Sequence, residues 1–379
     1  MLRFHPWIFS GAIDVIEGNP DEGDMVNVYT SAGQWIAVGH IQVGSIAVRV
    51  LSFVQRPIDQ AFWEEKLQVA FNLRTGLGLT GRSDHNIFRL VHGEGDNLPG
   101  LVIDVYGRTA VMQAHSVGMH CQRMEIAAAL EKVLAGSIDS IYYKSETTLP
   151  FKADIDRGNG YIKGGPLDDV PLEYGMKMPV DWISGQKTGL FIDQRENRAL
   201  LERCACGCNV LNMFCYTGGF SLAALRGGAS LVHSVDASAR AIELTQSGVE
   251  NNFPGDTRHK AFVQDAFRYL DEMDPIYDLI ILDPPAFAKH KDALKHALIG
   301  YRRLNQKAME KIRPGGTLFT FSCSQVVTKD QFRMAVFTAA AQAHRSVKIL
   351  HQLHQPADHP INIFHPEGEY LKGLVLSVE

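Results

Sequence analysis

The sequence has no long apolar run. Segments such as LVIDVY and DLIILD are strand-sized and carry acids, and nothing approaches the ~18 apolar residues of a membrane span. The first residues, MLRFHPWIFSG, lack the apolar stretch of a signal peptide, which argues against secretion and for a cytoplasmic location. Cysteine is scarce: six in 379 residues cannot form a disulfide scaffold, and a reducing compartment suits them. Three crowd into CACGC, Cys204 to Cys208. That spacing is too tight for the usual zinc patterns and no Cys or His pair follows nearby, so a helix end running into a strand is expected there, with no metal. Positive charge is not in excess either. The net charge of −5 does not announce a nucleic-acid partner.

What is present is ordinary globular composition, 45% hydrophobic and 21% charged, in a chain long enough for two or three domains. Three regions are read. Residues 1–72 hold short Gly-punctuated β segments, MVNVYT, GQWIAVGHI and IAVRVLSF, which predict a small barrel or sheet. IDQAFWEEKLQVAFNLRTGLG then predicts a helix with Phe62, Leu67, Ala70 and Phe71 on one face, ended by Gly76 and Gly78. Residues 77–178 alternate strands (NIFRLVHGEG, GLVIDVYG, TAVMQAHS, SIYYKS) with one helix (MHCQRMEIAAALEKVL), a compact α+β module. Within it FKADIDRGNGYIKGGPLDD, rich in Gly and Asp, reads as a mobile loop.

Residues 179–379 change character. Apolar strands, NVLNMF, LVHSVD, YDLIILD and GTLFTFS, alternate with helix-length segments, the rhythm of a parallel sheet covered by helices. Ligands bind such sheets beyond the carboxyl ends of the strands, and each of these strands ends in something chemical. The first runs into FCYTGGFSLAAL, where Gly218 and Gly219 permit a sharp turn into a helix; there is neither a Gly-Lys-Ser/Thr nor a G-x-G-x-x-G. The second ends in Asp236, eighteen residues after Gly218, where an acid can accept both hydroxyls of a ribose, with Ser238 as the cap of the next helix. KAFVQDAF ends in Asp265, placed for an adenine amino group. Gly218, Asp236 and Asp265 together describe a nucleoside cofactor without phosphates, and S-adenosyl-L-methionine fits better than NAD. YDLIILDPPAF ends in Asp283, Pro284 and Pro285; two prolines hold the backbone extended and remove two N–H donors. FTFSCSQ puts Cys323 at the end of the next strand, across the cleft from Asp283 if strand order is the usual one.

These residues resemble the class I S-adenosylmethionine-dependent methyltransferases, and more closely the bacterial family of 23S rRNA cytosine-C5 methyltransferases. The resemblance covers nearly the whole chain. Residues 5–51 look like that family's N-terminal PUA domain, an RNA-binding pseudo-barrel, and GEGDNLPGLVIDVYG (93–107) looks like its central module. WISGQKTGLFIDQRENR (182–198) is the most specific match, and implies that Lys187, Thr188, Phe191 and Asp193 lie near the cofactor. FCYTGGF falls at the cofactor loop, implying contacts from Phe214, Tyr216 and Gly218; DPPAF falls at the substrate-base motif, implying Pro284, Pro285 and Phe287; FSCS falls at the catalytic cysteine.

The resemblance therefore implies a multidomain α/β protein: an N-terminal PUA-like β-barrel (1–72 with its connecting helix), a central small α+β module (77–178), and a C-terminal Rossmann-like methyltransferase domain (179–379) with a mostly parallel seven-stranded sheet. Its expected partner is 23S rRNA or a precursor of the large ribosomal subunit, and a homodimer is expected by the same likeness. Cys323 would add to C6 of a cytosine so that C5 becomes nucleophilic, with Asp283 holding N3 and N4. Two departures stand out. Ala286 occupies the place where many RNA cytosine-C5 methyltransferases carry a second cysteine. Residues 1–56 hold three Arg, no Lys and five acids, a poor electrostatic footprint for RNA. Residues 289–313 hold eight Lys or Arg against Asp292 and Glu310, and a helix there would bring Lys295, Arg302, Arg303 and Lys307 together as a phosphate-contacting or merely solvated face. Alternative readings are a purine N-methyltransferase, in which Cys323 is incidental, and a non-catalytic RNA-binding or assembly factor; an NAD-linked dehydrogenase ranks below both.

Overall fold

The computed structural model describes residues 4–150, 155–156, 158–288 and 290–379. Those residues form two compact units: residues 1–175, 180–192 and 357–368 make the first, and residues 176–179, 193–356 and 369–379 the second.

In the first unit, β1 (Trp7–Phe9), β2 (Met25–Tyr29), β3 (Trp35–Ile41) and β4 (Ile46–Ser52) form an antiparallel sheet in the order β1-β4-β3-β2. Gly39 is obligatory in β3, because a Cβ there would sit 2.1 Å from the Arg49 carbonyl oxygen. Helix α1 (Gln60–Gly76) starts where the Asp59 carboxylate accepts the Phe62 N–H at 3.0 Å. It buries Phe62, Trp63, Leu67 and Ala70, with Phe71 packed partly against the same core.

A five-stranded sheet follows in sequence order: β5 (Ile87–His92), β6 (Leu101–Tyr106), β7 (Thr109–Ala114), β8 (Ser140–Tyr143) and β9 (Gly160–Lys163). Helices α2 (Val117–Cys121) and α3 (Arg123–Val133) connect β7 to β8, which makes that pair parallel. Strand β9 corrects the expectation of a loop over 151–169. Tyr161, Ile162 and Lys163 have enough strand character to pair with β8, and the Tyr161 ring meets Tyr142 edge-on at 5.0 Å. Residues 151–154 and 157 of that expected loop lie outside the described residues.

Residues 357–368 complete this unit from far along the chain. The fully buried Arg74 donates to both Asp96 carboxylate oxygens (2.5 and 2.8 Å), to the Arg89 carbonyl and to the Asp358 carbonyl, the last two at 2.7 Å. The Asp358 carboxylate accepts the Arg89 N–H at 2.9 Å. The short strand β10 (Leu172–Glu173) belongs here as well.

The second unit opens with β11 (Met176–Lys177) and then alternates helix and strand as far as its last two strands: α4 (Arg195–Cys204), β12 (Asn209–Met213), α5 (Gly219–Arg226), β13 (Leu231–Asp236), α6 (Ala239–Asn252), β14 (His259–Val263), α7 (Ala266–Glu272), β15 (Leu279–Leu282), α8 (Leu294–Lys311), β16 (Gly316–Ser322), α9 (Lys329–Gln342), β17 (Val347–Leu353) and β18 (Lys372–Val378). The expected passage of a helix end into a strand at CACGC is seen, with α4 ending on Cys204 and β12 beginning at Asn209. The sheet order is β14-β13-β12-β15-β16-β18-β17. It is the Rossmann-like sheet expected, parallel from β14 to β16, with β18 antiparallel to both of its neighbours. Strand LIIL of β15 is wholly buried, as a central parallel strand covered on both faces must be. Strand order reverses between β12 and β15, which opens a crevice at their carboxyl ends.

Candidate active site

Beyond β12 the backbone takes an unusual path. Phe214, Tyr216 and Gly218 have φ of +58°, +48° and +78°, three alternate residues in the left-handed region. For the two aromatic residues this conformation costs on the order of 1–3 kcal/mol each, and it is held by specific bonds. The Cys215 N–H donates to the Val235 carbonyl (3.1 Å), the Gly218 N–H to the Cys215 carbonyl (2.7 Å) and the Thr245 hydroxyl to the Tyr216 carbonyl (3.0 Å). Gly218 can be nothing else, since a Cβ would lie 2.6 Å from Thr245 Cγ2. It occupies the N-cap of α5 without a side-chain cap, so the first N–H groups of that helix point out beyond the strand.

Asp236 ends β13, half-buried. One carboxylate oxygen accepts the Tyr216 N–H (3.0 Å) and the other the Ser238 N–H (2.9 Å), so the same residue braces the β12 loop and its own turn. Ser238 caps α6 as expected, accepting from the Ala241 N–H. Asp265 stands two residues beyond β14, exposed, and accepts the Arg268 N–H at the start of α7.

Beyond β15, Asp283 is half-buried, Pro284 buried and Pro285 exposed. Gln194 Nε2 donates to Asp283 Oδ2 at 3.0 Å. Gln194 is itself oriented by Asn197, whose amide donates to the Gln194 carbonyl oxygen at 2.6 Å. Phe287 turns inward. Its ring lies 4.6 Å from that of Tyr301, over Gly300, where a Cβ would come within 2.9 Å of it. The DPPAF segment is thus anchored by its last aromatic residue, and Lys289 lies outside the described residues.

Cys323 follows β16, the immediate parallel neighbour of β15, so Cys323 and Asp283 stand at the carboxyl ends of adjacent strands. The turn after Cys323 is tied to the DPPAF segment by the buried Ser324, whose hydroxyl donates to the Ala288 carbonyl at 2.6 Å. Tyr301 of α8 lies under both segments. Burial pushes its hydroxyl up to about 12, and the charges of Cys323 and Asp283 act in the same direction. The last strand adds Lys372, opposite Ser322 in register, buried, with Nζ donating to the Ser324 carbonyl at 2.6 Å.

The other expected contacts divide between the units. In the first, Lys187 is exposed with φ +48° and its ammonium lies 4.3 Å from the centre of the half-buried Phe191 ring. Thr188 is fully buried and its hydroxyl donates to Asp104 (2.6 Å), with the Tyr106 hydroxyl 2.9 Å away, so that side chain fastens the segment internally. In the second unit Asp193 is buried and accepts the Tyr370 hydroxyl at 2.7 Å. The expected basic face on α8 is partly used inside the fold. Lys307 pairs with Asp271 and Arg303 lies over Phe267 at 5.7 Å, leaving Lys295 exposed.

Sequence reasoning missed Gln194, Asn197, Tyr301 and Lys372. Gln194 sits inside the most specific matching stretch and was readable there. Lys372 carried a signal too: one charge opening the otherwise apolar KGLVLSV.

The model of the S-adenosylmethionine-dependent methyltransferase family matches residues 125–371, and that of the PUA-like domain matches residues 1–53. The ribosomal RNA large subunit methyltransferase I of Erwinia tasmaniensis is 40% identical over 388 residues, covering 100% of this chain and 96% of its own. The protein of the same name from Tolumonas auensis is 41% identical over 384 residues, 99% of this chain and 96% of its own. The chain belongs to the ribosomal RNA large subunit methyltransferase I family. Members are S-adenosylmethionine-dependent methyltransferases, and S-adenosyl-L-methionine is the cofactor. The family fold extends to a structure described as a SAM-dependent methyltransferase from Streptococcus mutans. That chain superposes with a TM-score of 0.84 at 23% identity, over 99% of this chain and 96% of that one.

Proposed function

We propose that this protein methylates C5 of a cytosine in the RNA of the large ribosomal subunit, 23S rRNA, with Cys323 as the nucleophile. The substrate class is supported by the names of the Erwinia and Tolumonas relatives, which align over essentially the whole chain. The position on the base is supported by the juxtaposition of Cys323 and Asp283 at neighbouring strand ends.

The strand ends fit a cofactor that carries ribose and adenine but no phosphate. Asp236 and Asp265 are carboxylates, and no Lys or Arg occurs in residues 213–219, 236–238 or 263–266. Asp236 would hold the ribose hydroxyls and Asp265 the adenine amino group. Phe214, Tyr216 and Gly218 would line the turn between them, and Asp193 would contribute from the 182–198 segment. Bound there, S-adenosylmethionine supplies an electrophilic methyl group.

C5 of cytosine is too weak a nucleophile to take that group unaided. Addition of the Cys323 thiolate to C6 moves the C5–C6 π pair onto C5. The developing charge reaches N3 through C4, where Asp283 as an acid can donate, while its other oxygen accepts from the N4 amino group. Gln194 holds the carboxyl plane for that bidentate contact, and Pro284 and Pro285 leave no N–H to compete. Once C5 carries the methyl group, loss of its proton restores the double bond and expels Cys323 Sγ. A paired cytosine must first leave its stack.

The test is the identity of the product. Unmodified rRNA is incubated with labelled S-adenosylmethionine and digested to nucleosides. Label in 5-methylcytidine is expected; label in a methylated purine would overturn the cytosine reading.

A further inference from the structure

On the footing of the cysteine chemistry above, we propose that Lys372 is the positioning residue that keeps Cys323 ionised, its ammonium group standing as the counter-charge to the thiolate. Strand β18 runs antiparallel to β16 and sets Lys372 opposite Ser322, the residue before Cys323. From there Nζ reaches past the cysteine and donates to the carbonyl of Ser324, the residue after it, at 2.6 Å. The side chain therefore brackets Cys323 and is pinned by a hydrogen bond that only a protonated or neutral amine, never an acceptor, can make. At 5% exposure the ammonium is held in a medium where a nearby negative charge counts for far more than in water.

The burial of a lysine at this point needs explaining, because a lone ammonium in an apolar strand is costly. Burial pushes Lys372 down to about 8, while the charges of Cys323 and Glu369 pull it up and Lys329 pulls it down. At neutral pH the amine is still mostly protonated. The ionisable groups around the pair come from four elements. They are Lys372 on β18, Tyr301 on α8, Asp283 beyond β15, and the Lys329–Glu369 ion pair between the start of α9 and the segment before β18. Tyr301, pushed up to about 12, is uncharged, Asp283 when ionised would disfavour a thiolate, and Lys329 is matched by Glu369. Lys372 supplies the positive charge among them. The thiol proton leaves to solvent and the ammonium remains, so charge balances without a further acid or base. The N-terminus of α9, the next helix after Cys323, is the other candidate for this task. That helix, however, begins at Lys329 with its first turn closed by a Thr328–Gln331 capping box.

The test reads the thiol directly and needs no RNA. The full chain is alkylated with iodoacetamide from pH 5 to 10, and the rate at Cys323 is followed on its own peptide by mass spectrometry. Wild type is compared with Lys372→Met, Lys372→Gln and Lys372→Arg. The midpoint for Cys323 is expected to rise by at least about one unit in the Met and Gln variants, slowing alkylation at pH 7 about ten-fold, and to return towards wild type in the Arg variant. Gln retains a donor for the Ser324 carbonyl, so it carries the comparison if the Met variant does not fold. An unchanged midpoint in the Gln variant overturns the proposal. A midpoint raised equally in the Arg variant also does, since packing rather than charge would then be responsible. Product analysis fails separately: a methylated purine alongside a depressed Cys323 midpoint removes the cytosine reading and leaves the Lys372–Cys323 pair standing.

Discussion

The amide of Gln194 points at the carboxylate of Asp283 because Asn197 occupies its carbonyl oxygen, a chain of two hydrogen bonds of 3.0 and 2.6 Å ending on the carboxylate proposed to receive the base. Gln194→Leu removes a donor to an ionisable group in a buried setting, a loss of about 1.5–3 kcal/mol. Turnover should fall roughly 10- to 100-fold with S-adenosylmethionine affinity unchanged. Steady-state kinetics at saturating cofactor checks this, and wild-type turnover would show that Asp283 needs no such support.

Cys323→Ala should leave methyl transfer below about one-thousandth of wild type, because in the proposed mechanism the Cys323 thiolate is what makes C5 nucleophilic. Calorimetric titration with S-adenosylmethionine should give an affinity within about two-fold of wild type. Retained turnover would sink the covalent mechanism.

Asp236→Asn keeps an acceptor for the Tyr216 or Ser238 N–H but would leave the ribose hydroxyl pair proposed to bind there poorly matched. Affinity for S-adenosylmethionine should weaken by ~1–3 kcal/mol. Equal dissociation constants for variant and wild type would remove Asp236 from the cofactor site.

Acid should weaken the first unit through His40. Its ring is 1% exposed and neither nitrogen has a hydrogen-bond partner among the described residues. Burial, helped by Arg49, lowers it from 6.5 to about 4. The unfolded chain therefore binds a proton between those values and the folded chain does not, so the stabilisation is full above pH 6.5 and is lost as pH falls towards 4. Thermal unfolding at pH 7.0 and 4.5 should show a smaller drop in Tm for His40→Gln than for wild type, corresponding to about 2–3 kcal/mol at most. Parallel drops would place the acid sensitivity elsewhere.

Much of the second unit was readable because an alternating β/α sequence fixes where its strands end. Gly218, Asp236, Asp265, Asp283 and Cys323, the residues expected to carry the chemistry, each lie at or within a few residues beyond the carboxyl end of a strand. The adjacency of Asp283 and Cys323 needed only the usual strand order, which the β15–β16 pairing supplies. What escaped was whatever depends on partners distant in sequence. Strand β9 is short and bounded by glycines, and its only reason to be a strand is β8. Lys372 looks like a surface residue until the register of β16 with β18 sets it opposite Ser322. Thr188 reads as a ligand contact in its motif, and only the fold reveals that its hydroxyl is already committed to Asp104.

The first unit owes Asp358, and with it the acceptors for Arg74 and the Arg89 N–H, to a segment encoded some 180 residues after the rest of its sheets are complete. On a translating ribosome adding ~5–20 residues per second, its earlier strands would wait roughly 10–40 s for that closing piece. In the interval Arg74 has its nearer partners, Asp96 and the Ala70 and Arg89 carbonyls. The N-terminal half of the gene therefore does not encode a complete folding unit, and expression of residues 1–175 alone would yield a protein lacking its own last strut.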